Sequence, residues 1–448
     1  MSTHLTPLEK HILGEIWTTP DLWNHMLTLC DECGSRFAGT EEERRAGDYI
    51  LACFKRWGLE NVHPEPFEMP GWERGEATLT VLLDNGAEVE LPCLALPGTH
   101  PCDLVAEVID VGPGGPEEYQ KLAEPAAGKI VLTSSEGLGR FEKYMAAVEA
   151  GAAGFVFGSN QPGLLAPTGS IGKATPAVGL AHEHAARIRR LLAKGRRRAR
   201  LRVGAAVHTV TARNIVGEIP GTDPTQGWVV ACGHYDGHDI AQGAGDNAAG
   251  IAVLMEAARL LAPLRAHFQG GIRFVLFSGE ELGLFGSYAY AAAHAAELDE
   301  VRAVFNVDVV GMAMPLVLLP QSSPELAAWF KALPLDEMDV KLNEGAKTFI
   351  TNSDHFPFCE RGVQAVWAVS SHPTGSVGWG HTAADTLDKL EPRLLRQTTA
   401  AAARLLLRMA ACAADLPRIR KPAEQVKQEL IAAGFEKGLR FRGRWMFD

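Results

Sequence analysis

Short apolar runs with the composition of buried strands alternate with helical patterns in the second half of this chain, and this alternation constrains the fold most. The strand-like runs are Trp228 to Cys232, Ile272 to Phe277, Ala303 to Phe305 and Val363 to Val369. Such runs are typical of strands that are covered on both faces. The helical patterns are Ile251 to Leu261, Leu282 to Ala296 and Leu394 to Ala413. We therefore predict an α/β fold with a mixed, mainly parallel sheet flanked by helices.

Polar segments follow the strand-like runs where those runs stop. They are residues 233–236, 245–247, 278–283, 306–308 and 380–382, and they carry two histidines, two metal-ligand-type aspartates and two adjacent glutamates. In an open α/β sheet, ligand sites form beyond the carboxyl ends of the strands. Burying so many ionisable groups without cations would be very costly. The pattern therefore predicts a metal site rather than a polar core.

The spacing of these residues has a chemical meaning. His234 follows a strand directly, and Asp236 is close enough to accept its second ring proton. Asp246 precedes a helix, where its two oxygens can bridge two cations. Glu280 and Glu281 are predicted to begin a helix, on which neighbouring side chains diverge by about 100°. One glutamate can then bind metal while the other stays free as a general base.

With these residues in place, the chain resembles the M28 metallopeptidases, the co-catalytic zinc aminopeptidases and their carboxypeptidase relatives. Residues 34–40, residues 353–358 and the pair His381-Thr382 with Asp385-Thr386 extend the resemblance. The resemblance implies two zinc ions with Asp246 as the bridge, His234 and Asp308 at one ion, Glu281 and His381 at the other, Glu280 as general base and Asp236 as the group that orients His234. Cobalt or manganese would also suit these ligands. A cis peptide after Asp246 is implied as well.

Some expected roles near this cluster stay open. Some relatives carry a tyrosine before the last histidine, where this chain has Gly380, so the group that stabilises the oxyanion is unassigned. His238 lies in the loop between two ligands and either touches substrate or holds the loop. Asp354 and His355 are expected at the substrate pocket or behind the ligands, because the metal set is complete without them.

An insertion interrupts the peptidase-like part of the chain. Ligand motifs are absent between about residues 91 and 210, and residues 128–157 have a strand, helix, strand pattern. This segment resembles the protease-associated (PA) domain, which implies a small β-rich α/β domain that forms a lid or wall over the active-site cleft. We expect a peptidase domain at 1–90 and 211–420, the insert at 91–210, and a C-terminal extension at 421–448. Phe441, Trp445, Met446 and Phe447 are expected to dock that extension.

The resemblance implies a zinc-dependent exopeptidase in which a metal-activated water attacks the peptide and Glu280 moves the proton. We expect removal of the N-terminal residue. A carboxypeptidase or dipeptidase is the alternative, because residues 234–246 resemble PA-containing carboxypeptidases equally well. A non-catalytic, receptor-like relative is less favoured, because every ligand and the base are present.

Composition narrows the partners. The net charge of −11 disfavours nucleic acid, and no apolar run approaches the roughly 20 residues that span a bilayer. The first ten residues lack the apolar stretch of a signal peptide, the eight cysteines are scattered, and there is no Asn-x-Ser/Thr acceptor. We therefore expect peptide substrates, no nucleic-acid or membrane partner, and a cytoplasmic location. A homo-oligomer is left open.

Overall fold

The computed structural model describes residues 6–172, 174–345, 349–370 and 379–448. Within them, one eight-stranded sheet has the order β1-β9-β11-β10-β12-β15-β13-β14, and a second sheet closes into a barrel in the order β2-β3-β7-β6-β5-β4-β8. Four central strands are parallel to one another: β11, β10, β12 and β15. Antiparallel partners flank this group, with β9 beside β11 and β13 beside β15. The predicted α/β class with a mixed, mainly parallel sheet is confirmed.

The first sheet is formed by β1 (Glu60–Glu73), β9 (Ala206–Ile219), β10 (Trp228–His234), β11 (Gly271–Phe277), β12 (Val301–Val307), β13 (Leu316–Gln321), β14 (Val340–Leu342) and β15 (Ala365–Ser370). The barrel is formed by β2 (Ala77–Leu82), β3 (Glu88–Ala95), β4 (Cys102–Gly112), β5 (Ile130–Ser134), β6 (Gly154–Gly158), β7 (Ala177–Leu180) and β8 (Arg197–Val203). The helices are α1 (Thr6–Thr18), α2 (Asp21–Leu27), α3 (Glu41–Arg56), α4 (Pro116–Gln120), α5 (Arg140–Glu149), α6 (His182–Leu192), α7 (Ala249–Leu261), α8 (Phe285–Ala293), α9 (Pro324–Lys331), α10 (Phe356–Cys359), α11 (Pro392–Ala411), α12 (Ala423–Ala432) and α13 (Glu436–Phe441).

Helices cover both faces of the first sheet, which explains why its central strands are apolar throughout. In β10, Val229 and Ala231 pack into one core with α7 and α11, and Val230 and Cys232 pack into another with α8, α10 and α12. Successive side chains of a strand point to opposite faces, so each strand contributes to both cores. The segment Ala244–His267, which contains α7, is long and apolar enough to span a membrane, but 89% of its most apolar window is buried inside the protein.

The barrel starts earlier than the sequence suggested. Strands β2 and β3 belong to it although both begin before residue 91, where we expected the insert to start. The backbone N–H of Gly204 donates to the carbonyl oxygen of Glu76 at 2.9 Å, so the chain enters and leaves the barrel at one place. Strands β1 and β9, which lead to and from that place, pair antiparallel along most of their length. These two strands lack ligand motifs, so the motif pattern of the sequence does not mark where the barrel begins.

The C-terminal segment packs against both parts of the protein. Phe441 contacts the rings of Phe141 and Tyr144 on the insert, with ring centroids 5.7 and 6.3 Å apart. Trp445 and Phe447 are partly buried against the core that contains α8 and α10. Met446, which was expected to dock with them, is 46% exposed. The segment therefore packs against both the insert and the peptidase part, beside the carboxyl ends of the central strands.

Candidate metal centre and substrate cavity

Ligand-type side chains from four distant segments meet beyond the carboxyl ends of β10 and β12. Nε2 of His234 lies 3.2 Å from Oδ1 of Asp246 and 3.3 Å from Oδ1 of Asp308. Nε2 of His381 lies 3.2 Å from Oδ2, the other oxygen of Asp246. Each oxygen of Asp246 thus faces a different histidine, which is the arrangement of a carboxylate shared between two cations.

These distances fit zinc ligands. Two ligand atoms about 2.0 Å from a tetrahedral zinc ion are about 3.3 Å apart. The buried atoms Oε1 of Glu281 and Oδ1 of Asp308 make no hydrogen bond in the described part of the chain. A buried carboxylate oxygen without a partner is costly unless a cation satisfies it. The donor set therefore fits two divalent cations, one between His234, Asp246 and Asp308, the other between Asp246, Glu281 and His381.

His238 adds a third imidazole at the second position. Its Nε2 lies 2.9 Å from Oε2 of Glu281, and its ring packs edge-on against His381 with centroids 4.6 Å apart. Burial keeps the pKa of His238 well below its usual value, so the ring is neutral and can offer a lone pair. His238 is buried and does not line the substrate cavity. The structure therefore places it beside the ligand-type groups Glu281 and His381 and not at the substrate cavity.

Asp236 holds the two glutamates rather than the ring of His234. Nδ1 of His234 is hydrogen-bonded to the backbone carbonyl oxygen of Asp236 at 3.1 Å, whereas the Asp236 carboxylate is 3.6 Å away. That carboxylate instead accepts the backbone N–H groups of Glu280 at 3.2 Å and Glu281 at 3.3 Å. The expected orientation of His234 is thus achieved by the backbone, and the side chain fixes the neighbouring turn.

Glu280 and Glu281 lie in a turn and not at the start of a helix. Gly279 has a φ of 74° and Leu284 a φ of 61°, and α8 begins only at Phe285. Both glutamates line the cavity, but only Glu281 is paired with His238 and His381 in the described part of the chain. Loss of solvent raises the pKa of Glu280 well above its usual value, and the charge of Glu281 adds to this shift. A raised pKa suits a group that accepts and returns a proton.

The backbone around Asp246 is fixed from two sides. Asp385 accepts the N–H groups of Gly245 at 2.7 Å and Asp246 at 3.0 Å. The expected cis peptide between Asp246 and Asn247 is present, and Nδ2 of Asn247 donates to the carbonyl oxygen of Val307 at 2.9 Å. These contacts explain the motif around Asp385, which the sequence showed only as a resemblance.

Arg36 holds the loop between His234 and Asp246. Its guanidinium is fully buried and donates to the carbonyl oxygens of Tyr235 at 2.9 Å, Gln242 at 2.6 Å and Gly243 at 3.0 Å. Sequence reasoning included Arg36 in the opening segment but gave it no role. A lone arginine in a polar segment carries no signal that it will be buried among carbonyl groups 200 residues away.

Asp354 and His355 stand behind the cluster and do not line the cavity, contrary to the expected substrate contact. Both are fully buried. The ring of His355 stacks on Trp367 with centroids 6.1 Å apart, and its Nδ1 is 3.3 Å from Nδ2 of Asn306. Burial raises the pKa of Asp354 to about 7. The neighbouring residue that does contact the cluster is Ser353, whose hydroxyl donates to Oδ2 of Asp308 at 2.5 Å.

The insert contributes directly to the site, which the sequence did not indicate. The backbone N–H of Thr168 donates to the carbonyl oxygen of His381 at 2.8 Å. Nη1 of Arg140 lies 3.4 Å from Nδ1 of His381, and burial lowers the pKa of Arg140 to about 10. Arg74, just before the barrel, pairs with Asp239 at 2.6 Å and reaches Oγ1 of Thr168 at 3.0 Å. The insert therefore fixes the segment that carries the last histidine.

A cavity of about 770 Å³ opens over the cluster and is bounded by three parts of the chain. The peptidase part supplies the ligands, Glu280 and Trp367; the insert supplies residues 137–142; and the C-terminal segment supplies Phe435, Leu439 and Arg442. Its volume is in the range of sites for small molecules and short peptides. The insert forms a wall of the cleft, as expected, and the C-terminal extension forms another.

Comparison with known proteins agrees with this geometry. The model of peptidase family M28 matches residues 214–406, and the model of the PA domain matches residues 99–188. The chain is 29% identical over 389 residues to aminopeptidase YwaD of Bacillus subtilis (strain 168), covering 82% of this chain and 80% of that protein. A solved structure of BSAP, a zinc aminopeptidase from Bacillus subtilis, superposes with a TM-score of 0.68 at 25% identity, covering 87% of this chain and 94% of that one.

Carboxypeptidases are also among the relatives. The chain is 29% identical over 308 residues to carboxypeptidase Q of Bos taurus, covering 64% of each protein, so it spans just under two thirds of that relative. The family match contains His234, Asp246, Glu280, Glu281 and Asp308, together with His381. The chain is a peptidase whose residues 214–406 match peptidase family M28 and whose residues 99–188 match the PA domain.

Proposed function

We propose that this peptidase is a zinc-dependent exopeptidase that removes the N-terminal residue of peptides. The observation that carries the proposal is the position of Asp246, whose two oxygens face His234 and His381 at 3.2 Å each, beside the free carboxylate of Glu280. A zinc aminopeptidase among the similar structures and an aminopeptidase among the relatives support it.

Each residue of the cluster has a defined task in this proposal. Two divalent cations held by His234, Asp246, Asp308, Glu281 and His381 would polarise the scissile carbonyl and make water a stronger nucleophile. Glu280 takes the proton of the attacking water and returns it to the leaving amine. Asp236 fixes the turn so that Glu280 stays in the cavity while Glu281 stays on the cluster. Three walls around the cavity limit access to peptide ends and short peptides.

A carboxypeptidase or dipeptidase activity is the second candidate. Carboxypeptidase Q is among the relatives, and two arginines line the cavity, where they can bind the carboxylate of a short peptide. An aminopeptidase that works on long chains has no need of such groups near the scissile bond. In a dipeptide the aminopeptidase and carboxypeptidase reactions are identical, because hydrolysis of the single peptide bond releases both residues.

Mass spectrometry on a defined peptide set tests the proposal. The purified protein, reconstituted with zinc, is incubated with peptides of two to eight residues that are free, N-acetylated or C-amidated. N-terminal trimming is expected, blocked by acetylation and lost in Glu280→Gln. Trimming only from the C-terminal end would support the second candidate, and no cleavage of any peptide would contradict both. The cytoplasmic location stays a prediction, which fractionation of the source cells would test.

A further inference from the structure

Two guanidinium groups line the cavity without a carboxylate partner. Arg140, at the start of α5 in the insert, donates to the carbonyl oxygen of Thr168 at 2.8 Å. Arg442, just after α13, lies with its guanidinium carbon 3.7 Å from the ring centroid of Phe141. In the described ranges, neither arginine forms a salt bridge, although other arginines of the insert do, such as Arg189 with Asp110 at 3.0 Å. Two cations that line one cavity and form no ion pair are a feature of an anion site.

The position of Arg140 relates this site to the reacting bond. His381 turns its Nε2 toward Asp246 and its Nδ1 toward Nη1 of Arg140, at 3.2 and 3.4 Å. The guanidinium is thus separated from the ligand cluster by the width of one imidazole ring. In a peptide, the carbonyl carbons of consecutive residues are about 3–4 Å apart. A group that lies one residue beyond the scissile carbonyl therefore reaches the space beside Arg140.

The hydrogen-bonding groups at this place are donors. When Nε2 of His381 binds a cation, the neutral ring keeps its proton on Nδ1, and the guanidinium of Arg140 can only donate. Two donor nitrogens 3.4 Å apart do not satisfy each other. A carboxylate oxygen within hydrogen-bond distance of both nitrogens accepts from both. Arginine and carboxylate also form the strong, charge-assisted type of hydrogen bond.

The charge balance favours an anion. Two divalent cations would neutralise the four carboxylates of the cluster, which belong to Asp246, Glu280, Glu281 and Asp308. Lys437 at the cavity rim is paired with Glu149 at 2.7 Å and needs no further partner. The charges of Arg140 and Arg442 are then balanced only in part, by Glu142 nearby.

We propose that Arg140 and Arg442 form a carboxylate-binding subsite for the residue on the leaving side of the scissile bond. This inference rests on the proposed exopeptidase function. The free C-terminal carboxylate of a dipeptide reaches the subsite, so dipeptides are the preferred substrates. The side chain of aspartate or glutamate at the same residue is the second source of a carboxylate. Arg140 belongs to the insert and Arg442 to the C-terminal extension, so both segments determine specificity.

Three substrates separate these sources in the zinc-loaded full-length enzyme: leucyl-glycine, leucyl-glycinamide and leucyl-glutamic acid α-amide. The first two share the Leu–Gly bond and differ only in the terminal carboxylate, and the third carries its carboxylate on the side chain beyond a Leu–Glu bond. We expect kcat/KM for leucyl-glycine to exceed that for leucyl-glycinamide by about tenfold or more, the range of one charged hydrogen-bond pair. Arg140→Gln and Arg442→Gln should each reduce this ratio, and the double variant should bring it close to one.

Arg440→Gln is the matched control. Arg440 lies in the same segment as Arg442, but it is paired with Asp448 at 2.7 Å on the outer surface and does not line the cavity. The control should keep the wild-type ratio. Arg442 is exposed and lies near the chain end, so Arg442→Gln tests the subsite even if Arg140→Gln fails to fold.

Binding provides a readout that does not depend on turnover. In the Glu280→Gln background with zinc bound, calorimetry should show leucyl-glycine binding about tenfold more tightly than its amide. Adding Arg442→Gln should remove most of this difference. Equal affinity for leucyl-glycine, its amide and the glutamate α-amide in that background would overturn the subsite.

The kinetic outcomes separate this inference from the proposed function. If the wild type cleaves leucyl-glycine, leucyl-glycinamide and the glutamate α-amide equally well, the exopeptidase function stands and the subsite is wrong. If the glutamate α-amide is favoured over the glycinamide and the arginine variants remove that preference, the subsite holds with a side-chain carboxylate as its ligand. If no dipeptide, amide or amino-acid p-nitroanilide is cleaved, the proposed function itself fails.

Discussion

The carboxylate of Asp236 accepts the backbone N–H of Glu280 at 3.2 Å, and its second oxygen accepts that of Glu281 at 3.3 Å. One buried carboxylate thus sets the directions of both the proposed base and a metal ligand. Replacing Asp236 by Ala removes both acceptors. We expect kcat to fall by about 10- to 100-fold, the usual effect of losing a group that supports metal ligands, with zinc lost first from the position of Glu281. Steady-state kinetics and metal analysis of the same preparation check this.

Asp223→Asn is the control for that substitution. Asp223 also accepts a backbone N–H, that of Thr225 at 3.0 Å, but it lies in an exposed turn away from the cavity. It should keep wild-type kinetics and zinc content. An Asp236→Ala enzyme with wild-type kcat would show that the turn holds without this carboxylate.

Glu280→Gln and Glu281→Gln should have opposite effects although the residues are adjacent. Glu280 lines the cavity and, unlike Glu281, forms no ion pair with a histidine among the described residues, so its amide variant should bind two zinc ions and lose about 10²- to 10⁴-fold in kcat. Glu281 faces His238 at 2.9 Å and His381 at 3.6 Å, so its variant should lose zinc. Zinc content by atomic emission and kcat on a chromogenic amino-acid amide distinguish them. A Glu280→Gln enzyme with full activity would remove Glu280 from the mechanism.

Asp246→Asn should impair both metal positions together. The neutral amide presents one oxygen where the carboxylate presents two, so one position loses its ligand atom and neither receives a negative charge. We expect zinc to fall well below two equivalents and the free energy of unfolding to fall by about 3–4 kcal/mol at saturating zinc, since bound metal stabilises by mass action. Thermal unfolding with and without a chelator measures this. Two retained equivalents per chain would show that Asp246 is not the bridge.

The local features of the fold were predictable from the sequence because they depend on periodicity. The apolar runs became β10, β11, β12 and β15 with ends within two residues of those expected, and the polar segments met because carboxyl ends of parallel strands lie at one edge. The sequence predicts a helix start at Glu280, because a Gly-Glu-Glu sequence before an Ala-rich stretch resembles the first turn of a helix. The structure has a turn there instead. Gly279, Gly283 and Leu284 have positive φ, and this delays the start of the helix.

Contacts between distant parts of the chain were not predictable. Arg140 and His381 are 241 positions apart, and their proximity depends on how the barrel sits on the first sheet. Arg442 enters the cavity because Phe441 packs on the insert, a contact that composition indicated only as docking. Asp354 and His355 were expected at the pocket or behind the ligands for the same reason: sequence places a residue near a strand end but not in front of or behind the ligands. The structure buries both behind the cluster.

His25 should make stability depend on pH. It is 2% exposed, and burial lowers its pKa to about 4, to which the nearby Arg56 and Arg259 contribute. The unfolded chain binds its proton near pH 6.5, so between pH 6.5 and 4 the unfolded state holds more protons and stability falls as pH falls. His25→Gln removes this dependence. Relative to the variant, the wild type should lose about 2 kcal/mol of unfolding free energy between pH 7 and 5. Urea titrations at both pH values measure it, and equal losses in the two proteins would contradict the assignment.

The insert should be needed for the second metal position. Strands β1 and β9 pair on both sides of the place where Gly204 meets Glu76, so replacing residues 77–203 by a short Gly/Ser linker should keep the first sheet. The truncation loses the N–H of Thr168, which holds the carbonyl oxygen of His381 at 2.8 Å. We therefore expect zinc content to fall from two equivalents toward one, with loss of turnover even on the smallest amino-acid amides.

A pair of substitutions tests the same contact in the full-length chain, where exposed apolar surface cannot cause aggregation. Thr168→Pro removes the backbone N–H that reaches His381, because proline has none. Thr168→Ala keeps that N–H and removes only the hydroxyl that accepts from Arg74 at 3.0 Å. Zinc titration should show a weakened second equivalent in Thr168→Pro and near-wild-type binding in Thr168→Ala. If the truncated protein and Thr168→Pro both hold two zinc ions with wild-type affinity, the insert acts as a wall alone and His381 is positioned by the peptidase domain.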